Sequence, residues 1–109
     1  MSRDYHFHRE HAGCSVTVDV RLGGRRELEL LVDGKEVATA RVHGHHAQTR
    51  SLRTMLPTDP PRGIAVQVEL PGAMRGEPVS TLIAGEDRLP MPARDVPHRA
   101  RLTEASWYS

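Results

Sequence analysis

Cysteine is nearly absent from this 109-residue chain. The lone Cys14 can form no intrachain disulfide, which excludes a disulfide-stapled secreted domain and fits a reducing compartment. Aromatic residues are scarce too, four in all, so any core is built from Val, Leu, Ile and Ala rather than stacked rings. No apolar run approaches the roughly 20 residues that span a bilayer as a helix. Met1-Ser2-Arg3-Asp4-Tyr5-His6 lacks the apolar stretch of a signal peptide. Together these absences lead to the expectation of a cytoplasmic protein with no membrane association. An excess of charge is also missing. The chain sets 15 basic residues against 14 acidic ones, so no global field draws it onto nucleic acid or an anionic surface. The basic residues are almost all arginine, Lys35 being the single lysine, and with Ala, Gly, Pro and Val they form the composition that a GC-rich coding sequence tends to give.

What is present is alternation. Cys14, Val16, Val18, Val20 and Leu22 share one face of an extended segment, while Ser15, Thr17, Asp19 and Arg21 share the other. Gly23-Gly24 breaks the pattern and permits a reversal into Leu28, Leu30 and Val32, so these two strands are expected to pair as neighbours. Asp33-Gly34 follows, a dipeptide suited to the positive φ angles of a two-residue hairpin turn. With that turn the register is expected to set Leu30 against Val37 on the buried face and Glu29 beside Ala38 outside. Ile64, Val66, Val68 and Leu70 repeat the alternation until Pro71-Gly72 stops it. A second hairpin is expected where Val79, Thr81 and Ile83 lead into Gly85-Glu86-Asp87 and Leu89 and Met91 follow.

The middle of the chain is less regular. Leu52, Met55 and Leu56 fit one helical face or a short irregular strand, and residues 46–56 stay open between the two. Pro57, Thr58, Asp59, Pro60, Pro61 and Gly63 form a loop, because proline has no amide donor and a fixed φ. From Pro92 onward the periodicity is lost. The expected fold is all-β: a small antiparallel β-sandwich or open barrel of about six to eight strands. It forms a single β domain over 1–91, with a Pro- and Arg-containing irregular C-terminal tail over 92–109. In that tail Trp107 and Tyr108 are two of the four aromatics and are candidate anchors for an interaction.

Histidine is the one chemical lead. His6, His8, His11 and Cys14 lie within nine residues, and a strand through this segment points His6 and His8 to the same side. His43, His45 and His46 form a second group in the loop after Val42. The six imidazoles suit zinc or copper if the fold brings the groups together, and both abut segments that could neighbour one another. Set against this, loop and terminal histidines are commonly solvated, and the spacing follows no zinc-finger rule. A cupin-type site is rejected, because no histidine follows Pro61-Arg62-Gly63 until His98.

Catalytic signatures are wanting. The chain has no Gly-x-Ser-x-Gly elbow, and Gly23-Gly24-Arg25 is too short for a phosphate loop and opens a strand instead of a helix. Cys14 faces the buried side of its strand, as a packed thiol does. Glu27 with Glu29, and Glu86 with Asp87, read as solvated charge. Arg25, Arg26, Arg50 and Arg53 occur without the exposed aromatics of an RNA-binding sheet.

The order of strand, Leu-Val-Asp-Gly-Lys-Glu-Val hairpin, irregular middle, strand and second hairpin resembles the β-sandwich of the Fas apoptosis inhibitory molecule family over residues 14–91. The resemblance implies a compact antiparallel sandwich acting as a non-enzymatic binding module, and it supplies no site residues. The chain departs from it in its proline-rich middle loop and its few aromatics. The expected function is accordingly a small non-catalytic binding or protein-interaction module, with a protein partner or self-association through exposed strand edges. A histidine-rich zinc or copper protein is the alternative. A small-barrel enzyme with an unidentified site ranks third.

Overall fold

At Asp33 and Gly34 the backbone enters the left-handed region, with φ of 52° and 81°, the pair of positive values that a two-residue turn of this kind needs. This turn joins β3 (Arg26–Val32) to β4 (Lys35–Val42) in a computed structural model that describes residues 4–23, 25–72 and 76–93. Asp33 also ties the turn to the preceding strand. Its amide donates to the Ser15 carbonyl at 2.8 Å, and its carboxylate accepts from the Ser15 amide at 2.9 Å.

The strands β1 (Asp4–His11), β2 (Cys14–Arg21), β3 and β4 form one antiparallel meander in that order. The strands β5 (Gln48–Leu56), β6 (Arg62–Leu70), β7 (Val79–Ala84) and β8 (Asp87–Met91) form a second. The two four-stranded sheets face each other and do not close into a barrel. Between them lies one aliphatic cluster, with Val16, Val18, Val20, Leu30, Leu56, Val66, Val68 and Leu82 fully shielded from solvent and Phe7 the one buried ring among the described residues. Val18 pairs with Leu30 and Leu52 with Val66, so the alternation read from sequence is the device that fills this layer. Among the described residues no helix is long and apolar enough to cross a membrane.

One expectation changes, and three points that the sequence leaves open are decided. The β1–β2 hairpin turns at Ala12-Gly13, where φ is 51° and 79°, although alanine is a poor resident of the left-handed region. In the β3–β4 hairpin, Leu31 pairs with Glu36 but Leu30 pairs with Ala38, which leaves Val37 as a bulge. The expected Leu30 to Val37 pair is therefore replaced. The extra residue brings Ala38, Ala40 and Val42 onto the core side and puts Glu29 beside Thr39.

Residues 48–56 are strand rather than helix. Leu52 and Leu56, four apart, satisfy either period, but Met55, which a helix would set on their face, is 59% exposed on the outer side. The apolar row of β6 supplies the pairing that decides it. In β7 the inward row is Ser80, Leu82 and Ala84, so Val79 and Ile83 face outward. Buried Ser80 meets its cross-strand partner, its hydroxyl donating to Met91 Sδ at 3.4 Å.

Candidate functional site

Two seams join the sheets, and at each an arginine stands at an inward-facing strand position. Arg26 heads the row that continues through Leu28, Leu30 and Val32, and it is 4% exposed. Its guanidinium donates from Nη1 to the carbonyls of Gly44 at 3.2 Å and His46 at 3.1 Å, and from Nη2 to the Pro71 carbonyl at 2.7 Å. The start of β3, the loop 43–47 and the exit of β6 are thereby tied at one point. Desolvation lowers the Arg26 pKa from its usual value, and none of the ion pairs among the described residues involves it. Gly44, with φ of 80°, supplies the left-handed turn that presents the loop carbonyls to it, and His46 packs against the place where a Cβ would stand.

At the other seam, Arg9 Nη1 donates to the Pro90 carbonyl at 2.8 Å, while its Nε is buried with no hydrogen-bond partner. Residues 92–93, assigned to the tail on sequence grounds, extend this seam. The His8 amide donates to the Pro92 carbonyl at 3.2 Å, and Phe7 bridges to Ala93.

Whether the two histidine groups meet is open in the sequence, and the strand order places them apart. His6 and His8 share the outer face of β1, opposite Asp19 and Thr17 of β2. His6 Nδ1 lies 2.5 Å from Asp19 Oδ1, and since the carboxylate can only accept, the proton sits on Nδ1 and leaves Nε2 buried without a partner. His8 Nδ1 lies 3.1 Å from the Thr17 hydroxyl and its Nε2 3.4 Å from Glu10 Oε1. His11 stands on the opposite face of the strand, paired with buried Cys14. His43, His45 and His46 follow β4, the far edge of the same sheet. Two strands separate β1 from β4, a gap of about 14 Å at the usual interstrand spacing. Among the described residues no group of three or more His, Cys, Asp or Glu side chains is placed to hold a metal ion.

The outer face of the first sheet is charged. Glu27 lies 4.0 Å from Arg21 and 3.9 Å from Arg41, both loose solvent-exposed contacts. Glu29, beside it on the same face, has its carboxyl pushed up by burial, then by the neighbouring charges of Glu36 and Asp19. Cys14 is buried, its thiol 3.9 Å from the Ala12 carbonyl. Trp107 and Tyr108 lie outside the described residues.

Four strands border the sheets, and three of them are blunted. The middle of β1 is covered by residues 92–93, β4 carries the Val37 bulge and the only lysine, and β8 is five residues long with Pro90 inside it. β5 differs. Its nine residues pair with β6 in unbroken register from Gln48 to Leu56, without proline or bulge, and no backbone hydrogen bond joins it to β4 among the described residues. It carries Arg50 and Arg53 and no acidic residue. Sequence reasoning missed this edge because residues 46–56 had no decided conformation. The contrast between proline-free β5 and the interrupted borders was the available signal.

Comparison with models of known families, with curated proteins and with solved structures finds no match for this chain.

Proposed function

We propose that this chain is a non-catalytic binding module that takes an extended acidic segment of another protein as an added strand along β5. The observation that supports it is the asymmetry of the four borders: among the described residues only β5 offers a long, uninterrupted ladder edge with no backbone pairing on its outer side. Strand addition draws affinity from main-chain hydrogen bonds and selects through cross-strand side chains. Arg53 on the outer face and Arg50 on the inward row pair with no carboxylate among the described residues, so negative charge on the incoming strand is favoured, above all beside exposed Arg53. Self-pairing of β5 would add a second Arg50 to the inner face and a second Arg53 to the outer one and supply a carboxylate to neither, so it lacks the charge complementarity of an acidic strand. The same class of activity, a non-enzymatic binding module, is what the resemblance to the Fas apoptosis inhibitory molecule sandwich implies.

The test pairs two labelled peptides of equal length, one alternating Val with Glu and one alternating Val with Lys, with hydrogen exchange read along the chain. The acidic peptide, whose Glu side chains all fall on one face, is expected to bind with them beside exposed Arg53 and to slow exchange at residues 49–55, and Arg53→Glu to weaken it by about fivefold or more. Equal binding of both peptides would overturn the proposal, as would protection at β4 in place of β5. Sedimentation that shows β5-protected dimers of the chain alone would replace the acidic partner by a second copy.

A further inference from the structure

The glycine-flanked pair Arg25-Arg26 and the loop histidines, far apart in sequence, form the walls of one cleft. β3 begins and β4 ends at the same end of the first sheet, with Arg26 opposite Val42 in the ladder. The space beside them, about 460 Å³, is bounded by Arg25, Arg26, Arg41, His43 and His45, with Val42 and Gly44 completing the wall and no carboxylate among its lining residues. That volume lies within the range of roughly 300–1,000 Å³ usual for small-molecule pockets.

Three features turn this from a collection of surface charges into a site. Arg26 is fixed: its donors are anchored on three carbonyls, so the cation cannot swing away to solvent. The loop carbonyls that would repel an anion are directed elsewhere, those of Gly44 and His46 to Arg26 and that of His43 to Gln48 Nε2 at 3.1 Å. What remains facing the cleft is donor-rich, since arginine can only donate and an imidazole donates in either charge state. Finally, the charge of Arg26 is answered by dipoles alone, with no acidic partner among the described residues. A buried cation in that condition strengthens the field in the nearest open space.

We propose that the cleft between Arg25, Arg41 and the His43 to His45 turn binds a small organic phosphate, its phosphoryl oxygens held by the Arg25 and Arg41 guanidinium groups and the two imidazoles over the fixed charge of Arg26. A phosphate monoester suits it better than a bare ion, because the cleft is of small-molecule size and Val42 gives it an apolar side. Arginine forks match phosphoryl geometry in two-point contacts. This site is separate from the β5 edge, and each can fail without the other.

Phenyl phosphate, inorganic phosphate and succinate are titrated into the intact chain while backbone resonances are followed by NMR. Phenyl phosphate is expected to give saturable shifts centred on Arg25, Arg41 and residues 43–45, inorganic phosphate weaker ones at the same positions, and succinate the weakest. Arg25→Ala and Arg41→Ala, both exposed positions, are expected to weaken phenyl phosphate by about fivefold each, and the pair by more than tenfold. The absence of saturable shifts up to about 10 mM would overturn the proposal. So would binding unchanged in the double variant, or succinate binding as tightly as phenyl phosphate. Arg26 is left intact throughout, because its loss would alter the loop itself.

Discussion

The two inward-facing arginines perform one task with unequal completeness. Arg26 distributes three hydrogen bonds over three carbonyls on two chain segments, whereas Arg9 places one bond on Pro90 and leaves its Nε buried and unanswered. Both lie where strand alternation calls for an apolar residue, since Arg9 pairs with Val16 and Arg26 shares a row with Leu28. Burial by itself does not make a polar side chain structural. What decides its worth is how many of the groups it removes from water are paired again, on its own side and on its partners' side.

The sharpest way to break this comparison is to replace each arginine by methionine, which keeps much of the unbranched length and deletes the donors. Arg26→Met strips three carbonyls of their donor and is expected to cost about 3 kcal/mol, lowering Tm by roughly 15 °C. Arg9→Met frees only the Pro90 carbonyl and removes an unpaired buried nitrogen, so about 1 kcal/mol or less is expected. Thermal unfolding of the two variants side by side checks it. Equal losses would mean that packing of the aliphatic stems, not hydrogen bonding, holds both seams.

Much of this architecture is legible in the amino-acid sequence. The alternation through Val16 to Val20 and Ile64 to Leu70, and the Asp33-Gly34 turn, follow from short-range rules that tertiary context has no reason to override. Register is where local rules fail. A bulge at Val37 displaces the pairing by one residue, and nothing in Lys-Glu-Val-Ala-Thr-Ala announces it, because both registers keep a small apolar residue opposite Leu30. Arg26 was legible in principle, as a charge heading an apolar row, yet its partners are carbonyls up to 45 residues away. Pairs at that separation are set by the meeting of the sheets. The histidine groups illustrate the same limit: the side-by-side placement of His6 and His8 is local and legible, whereas whether two distant groups meet is open in the sequence and depends on the strand order.

The weak seam can be strengthened without touching Arg9. Its edge strand, β1, is held to β2 by the Ala12-Gly13 turn, where alanine occupies a left-handed conformation that asparagine tolerates better. Ala12→Asn is expected to add about 1 kcal/mol and roughly 5 °C in Tm, with slower hydrogen exchange in β1 and none of the change at the Arg26 end. A gain spread evenly over both sheets would mean that the seams are not separable units.

The smallest expected effect tests the strong side. β3 carries, besides Arg26, a second desolvated charge, and this one is not answered: Glu29 is raised above its ordinary 4.5 by burial first, then by Glu36 and Asp19, with Arg21 acting weakly in the other direction. A native-state pKa above the unfolded one means that the folded chain holds more protons across that interval. Stability therefore falls as pH climbs from the unfolded value through the folded one, and the full deficit is present at neutral pH. Glu29→Gln keeps the shape and a donor toward Glu36 while removing the charge, so it is expected to stabilise by a few tenths of a kcal/mol at pH 7, about 2 °C in Tm. The advantage should shrink on acidification and disappear once wild-type Glu29 is protonated in both states. A gain that persists unchanged in acid would assign the effect to amide hydrogen bonding, and β3 would then carry its desolvated acid as comfortably as its desolvated cation.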